Sequence, residues 1–254
     1  MTLGQHLVEL RKRISISALA IVLFSIPAWW AVDYVWAALT APILEVAQRQ
    51  DREATLAYTT IGEAFDTRLL IMFLIGVVAS SPVWLYQLWA FIVPALHKRE
   101  KRFAIGFLAA AVPLFVGGAL AAWFVFPNIV ILLTSFAFVD AASFLSARIY
   151  LDFAIKFILA IGVGFLFPVV LVALNLARVI TGAGILKAWR WAILGVTAFT
   201  AIATPAADVL SMVMLAIPMI GLYFAAAAIA VLNDKRVAKR EAALNAEYGI
   251  RVDD

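Results

Sequence analysis

Between Ser81 and Arg102 the chain reads S-P-V-W-L-Y-Q-L-W-A-F-I-V-P-A-L-H-K-R-E-K-R, and its single acid, Glu100, stands among Lys98, Arg99, Lys101 and Arg102. Two chemistries suit that carboxylate. The neighbouring cations can pair with it, and exposed pairs of this kind contribute about 0–1 kcal/mol. It can equally receive a guanidinium from a partner, because arginine presents a planar fork that a carboxylate meets in bidentate fashion. Glu9, just before Arg11, is a second acid at a cation-rich membrane boundary, so two acids could read two arginines.

Other polar groups stand in apolar surroundings, where they are functional suspects. Asp152 and Lys156 are four apart with the acid N-terminal, the favourable order for a helical ion pair. They suit either a polar cavity that binds a partner or passes charge, or an interfacial acid beside a snorkelling lysine. Asp208 follows Thr204-Pro205 and opens an apolar run, a place where capping of the helix dipole and function are both open. Glu63 and Asp66 precede another run and read as solvated helix-start acids or as functional groups.

Catalytic patterns are absent. The two histidines, His6 and His97, have no metal-ligating partner four residues on, and there is no H-E-x-x-H, G-x-S-x-G or glycine-rich phosphate loop. With no cysteine, thiol catalysis and Cys-ligated metal are excluded, so neither an enzyme nor a cofactor is expected.

What must position these groups is a membrane bundle. Of 254 residues, 65% are hydrophobic and 14% charged, and mean hydropathy is +1.01. Soluble domains hold about 25% charged residues. Without ten-residue alternations a barrel is disfavoured, which leaves an all-α integral membrane fold. Its single domain, 1–232, is expected to have six transmembrane helices at about 14–36, 67–93, 103–126, 149–175, 189–203 and 209–232. Residues 1–13 form an amphipathic lead, 37–66 a polar loop with short helices, and 233–254 a charged tail. Ser81-Pro82 should kink the second span, because proline removes a backbone donor. The fifth span, at about 22 Å, is short of a hydrocarbon core of about 30 Å. Fifteen Lys and Arg lie on the side of the termini and three in the opposite loops, which predicts both ends inside. The net charge of +4 therefore reads as topology and not as nucleic-acid binding. A start without a transit peptide points to a prokaryotic inner membrane.

The segment 81–102 resembles the hallmark region of the TatC family, the multispanning receptors of the twin-arginine protein translocase. So do H-L-V-E-L-R-K-R at 6–13, A-P at 41–42, E-A-F at 63–65, T-P-A-A-D-V-L-S at 204–211 and L-A-I-P-M at 215–219, in family order. The resemblance implies recognition of twin-arginine signal peptides of folded cargo at the cytoplasmic face. It also implies assembly with TatA- and TatB-type single-span partners in membrane lipid, homo-oligomers within a receptor complex, and drive from the proton-motive force. By its motifs, Glu100 and Phe91 belong to the signal-binding patch, with Leu10, Arg11 and Arg13 nearby. Pro42 belongs to the first outer loop, which matters for assembly; Asp208 and Ser211 lie on short fifth and sixth helices where partners dock. The implied shape is a cupped bundle. Two positions depart from the family pattern, since Leu166 and Met212 stand where relatives often carry Glu and Gln. Asp152 and Lys156 are a candidate substitute polar site. A secondary transporter of a small solute is the alternative, although no inverted repeat or symmetric pair of broken helices is visible.

Overall fold

In a computed structural model of the chain, residues 3–49, 54–92, 100–135, 143–203 and 209–247 are described. Helix α1 (Leu3–Ala28) passes through a single 3-10 turn (Trp29–Ala31) into α2 (Val32–Arg49). The short strand β1 (Ala54–Ala57) leads to α3 (Glu63–Ala79) and α4 (Ser81–Ile92). Helix α5 (Glu100–Ser135), strand β2 (Ser143–Ser146), α6 (Ala147–Gly164) and α7 (Phe167–Leu176) follow. The chain continues through α8 (Gly182–Lys187) and α9 (Trp189–Ala203) to α10 (Val209–Glu247). Among the described residues, four helical stretches are long and apolar enough to cross a membrane: 4–44, 106–132, 147–176 and 212–245. The bent pair α3/α4 would make a fifth, and α9 is a shorter apolar helix packed on α10 and α6.

The expected kink is present. α3 and α4 meet at 60° across Ser80. Pro82 has no N–H for the preceding turn, and the indole N–H of Trp84 donates to the carbonyl of Val77 at 2.9 Å beside the break. A second break, at Phe165-Leu166, splits the expected fourth span into α6 and α7. Pro168 lies at the start of α7, where its missing donor costs least.

Elsewhere helices run further than the hydropathy pattern indicates. The expected polar loop from 37 is helical to Arg49, because Leu39, Pro42 and Ile43 are buried and keep the apolar face going. Pro42 therefore sits inside α2 and not in a loop. Carbonyls close to it are served from side chains: Thr40 donates to Trp36 O at 2.9 Å and Tyr150 donates to Leu39 O at 2.5 Å. The sixth apolar run is not short, being the first part of the 39-residue α10, and the expected tail continues it as far as Glu247. Ala, Lys, Arg and Glu in that extension are strong helix formers.

The core lies where α5 and α6 pack along each other, with Phe126, Ile129, Leu151, Phe157 and Ile161 buried together with Ile71 of α3 and Leu215 of α10. Gly76 lets α3 press on α1, since a Cβ there would stand 2.0 Å from Ser25 Oγ. The two strands, absent from the sequence expectation, pair in parallel with Ala54 opposite Ser143 and Ala57 opposite Ser146.

Candidate functional site

At one end of the bundle the start of α1 lies against the end of α4. The imidazole of His6 stacks on the ring of Phe91, with centroids 4.6 Å apart and planes inclined by 26°. One to two turns further on, Arg13 donates to Glu9 at 2.6 Å within α1 and to Gln87 of α4 at 3.3 Å. The spacing of His6, Glu9 and Arg13 places all three on one helical face, the side of α1 that meets α4. Of the residues expected in a binding patch, Glu9, Leu10, Arg13 and Phe91 are thus brought together. Arg11 is exposed on another side. Glu9 already has a cationic partner on its own helix, and that partner also reaches α4. His6 and Gln87 were missed from the sequence; the spacing of His6 from Glu9 and Arg13 could have placed it on their face of α1.

Glu100 is the first residue of α5, and the placement of its side chain lies outside what is described, as do Lys98 and Arg99 altogether. Leu10, Arg13, Gln87 and Phe91 open onto a groove of about 480 Å³ that continues between α1, α4, α5 and α6 past Ile14, Ile21, Trp84, Phe115, Leu159 and Val163.

The opposite end is built on Glu63. Its side chain is buried, and one carboxylate oxygen accepts from the hydroxyl of Thr59 at 2.6 Å and the N–H groups of Thr59 and Thr60. The other accepts from the hydroxyl of Ser146 at 2.8 Å and the N–H of Arg148 at 3.0 Å. The Thr59 and Ser146 hydroxyls, with the backbone N–H groups, hold the acid down at about 2 from an ordinary 4.5. It is thus not a solvated helix-start acid but the joint between α3, β2 and α6. Beside it Arg148 pairs with Asp66 at 2.8 Å, and Arg68 pairs with Asp33 at 3.0 Å while lying over the Trp29 ring.

Asp152 and Lys156 form their expected ion pair on the exposed side of α6. Leu166 is buried with Leu85, Ala111, Phe115 and Val169, so the chain has an apolar cluster at that position. Asp208 and Thr204-Pro205 lie outside the described residues; Ser211 is in the first turn of α10, with its side chain outside the description. An unexpected polar clasp joins α7, α8 and α10. Asn175 donates to Asp234 at 2.8 Å and to Ile180 O at 3.0 Å, and the Gly182 N–H donates to Asp234 at 2.6 Å. A Cβ on Gly182 would stand 2.4 Å from the Val231 nitrogen, so only glycine permits this approach. Among the described residues no cluster of His, Asp or Glu could hold a metal ion.

Comparison with known proteins gives a consistent picture. A family model described as Sec-independent protein translocase protein (TatC) matches residues 5–218. A protein named Sec-independent protein translocase protein TatC from Xylanimonas cellulosilytica is 41% identical over 95% of this chain and 88% of its own length. Relatives of the same name from Rothia mucilaginosa and Aquifex aeolicus are 35% and 37% identical, over 93% and 88% of this chain and 81% and 92% of their own. Two crystal structures described as the twin arginine translocase receptor TatC, one of them in DDM, are similar at TM-scores of 0.69 and 0.72. They are 35% and 34% identical; each covers 89% of this chain, with 98% and 99% of their own residues matched.

Proposed function

The chain belongs to the TatC family of Sec-independent protein translocase proteins, and from that membership we propose that it is the subunit that reads twin-arginine signal peptides and forms the core of a translocase for folded cargo. It is a multi-pass membrane protein, and the family decides against the small-solute transporter weighed from the sequence.

The observation that carries the receptor reading is the joint of α1 and α4. It gathers an aromatic ring, Phe91, and an acid, Glu9, at the edge of an apolar groove. A twin-arginine signal is a cationic pair followed by an apolar stretch. The acid suits the first part and the groove's lining suits the second. Arg13 holds the Glu9 carboxylate in place. The bent α3/α4 pair and α9 complete six crossings, with both termini on the cytoplasmic side of the inner membrane, in keeping with the asymmetry of Lys and Arg. The outer joint at Glu63, together with Pro42, Asp208 and Ser211, supports assembly with TatA- and TatB-type single-span subunits and with further copies of the chain. Transport draws on the proton-motive force, and the chain itself catalyses no reaction.

Photo-crosslinking to a twin-arginine signal peptide and to its Lys-Lys version tests the reading. Labelling should favour the arginine peptide, because two ammoniums lack the planar fork. Equal labelling would count against a receptor, as would failure of the chain to restore export in a strain lacking its own TatC.

A further inference from the structure

A second cavity, of about 300 Å³, lies between α5, α7 and α10. It extends along α5 from Gly106 to Leu114, along α7 from Pro168 to Ala177 and along α10 from Leu222 to Ile229. Trp89 of α4 stacks on Phe107 of α5, with centroids 4.2 Å apart and planes inclined by 20°, and both rings line it. Among the described residues no charged side chain lines the cavity. Pro168, Val169 and Ala173 are buried, whereas Gly106, Leu176 and Ile229 are exposed, so the slot has a covered floor and an open edge. From Gly106 to Leu114 is about 12 Å along the helix, and a helix about 10 Å across fills about 900 Å³ over that length. The slot holds about a third of that, which suits a hydrocarbon chain and not a helix.

The direction of the three helices gives the slot a charged mouth. α5 begins near Gly106, whereas α7 and α10 end their apolar parts near Ala177 and Ile229. Lys101 and Arg102 stand in the first turn of α5, Arg178 directly follows Ala177, and Arg236 is seven residues beyond Ile229 on the same face of α10. The acids in this region are Glu100, Asp234 and Glu241. Asp234 already accepts from Asn175 and the Gly182 N–H. Glu241 meets one nitrogen of Arg178 at 3.0 Å, while that side chain is 70% exposed and has five N–H donors in all. Water finds no polar partners inside an apolar slot. Basic pockets between membrane helices, by contrast, hold anionic lipid headgroups.

We propose that this slot seats one acyl chain of an anionic phospholipid, whose phosphate and headgroup lie among the cations at the mouth, Arg178 and Arg236 foremost. The guanidinium fork of Arg178 suits a phosphate. A zwitterionic lipid has the same phosphate but adds an ammonium that the cations repel, so the mouth selects for net negative charge. α5 separates this slot from the groove at Arg13 and Phe91, because Leu114 lines the one and Phe115 the other. The lipid and an occupant of that groove therefore do not compete. A seated lipid ties α5 to α7 and α10.

Native mass spectrometry of the full chain in mild detergent, titrated with phosphatidylglycerol and with phosphatidylcholine of the same acyl chains, tests this. One phosphatidylglycerol should be retained about fivefold better or more, since each cation near an anionic surface contributes about that factor. It should also raise the melting temperature, as a ligand of the folded state does. Ala225→Trp and Ala110→Phe fill the slot from α10 and from α5, and each should remove both effects. Arg178→Gln combined with Arg236→Gln should leave phosphatidylcholine retention unchanged and bring phosphatidylglycerol down toward it. Phosphatidylglycerol with a photoreactive acyl chain should label α5, α7 and α10 in vesicles. Equal retention of the two lipids by the parent chain would overturn the proposal. So would full retention in either filled variant, or label that spreads over all the membrane helices, which would mark ordinary boundary lipid. Melting temperatures in lipid-free detergent show whether the filled variants fold. Should neither fold, the position of the label on the parent chain decides.

Discussion

The carboxylate of Glu63 meets the backbone N–H of Arg148 at 3.0 Å, although the two residues are 85 positions apart. This contact, with that from Ser146, fastens the start of α3 to the junction of β2 and α6. The acid is ionised to unusually low pH because two hydroxyls and several N–H groups bond to its charged form, the Thr59 hydroxyl foremost. A carboxyl lowered on folding contributes stability that is complete above its unfolded value and is lost as pH falls through the folded one. Thermal melts in detergent should therefore show stability draining between pH 4.5 and about 2. Glu63→Gln should melt lower at neutral pH, with a flatter acid profile. Identical acid profiles for the two proteins would remove Glu63 from this role.

Glu100→Gln keeps the size of the side chain and removes its charge. If Glu100 receives a signal arginine, the loss of a charge-assisted hydrogen bond, about 1.5–3 kcal/mol, weakens binding of the twin-arginine peptide by roughly tenfold or more. Lys-Lys peptide binding should change less, and expression and melting temperature should not change. A variant that retains full Arg-over-Lys preference returns Glu100 to the status of an acid paired by its neighbours.

The His6–Phe91 stack makes a distinct prediction. Aromatic pairs contribute about 0.5–1.5 kcal/mol beyond burial, so His6→Ala should weaken peptide binding about two- to tenfold by loosening α1 from α4. His6→Phe preserves a stacking ring and should bind as the parent does. Equal loss in both variants would indicate that the imidazole nitrogens matter and the stack does not.

Gly182→Ala places a methyl group against the backbone of α10 at Val231. Forcing extra volume into such a contact costs about 1–3 kcal/mol, and the Gly182–Asp234 hydrogen bond should be strained with it. The melting temperature should fall. Asp234→Asn, which removes the charge but not the bulk, should have a smaller effect. A neutral Gly182→Ala would show that α8 is free to shift.

The sequence was most informative where one local property decides the outcome. Apolar runs marked where α1, α5 and α6 lie but not where they begin, end or break, and the Ser81-Pro82 kink followed from a missing backbone donor. The i, i+4 spacing of Asp152 and Lys156 also foretold their pair. It was least informative at helix ends. The apolar pattern fades after Trp36, yet α2 continues to Arg49 because Leu39, Pro42 and Ile43 are covered by other helices. Nothing local announces that cover.

Composition, period and proline placement by themselves determined that this chain is a helical membrane protein, and its ordered motifs pointed to the TatC family. Those are properties of neighbouring residues and of their preference for lipid or water. Which polar groups meet was decided only by tertiary structure. Glu63 and Arg148, His6 and Phe91, and Asn175 and Asp234 are joined by helix packing across 85, 85 and 59 positions, distances over which hydropathy carries no pairing information. Close packing, with Gly76 and Gly182 admitting backbone where no side chain fits, turns a set of spans into specific contacts.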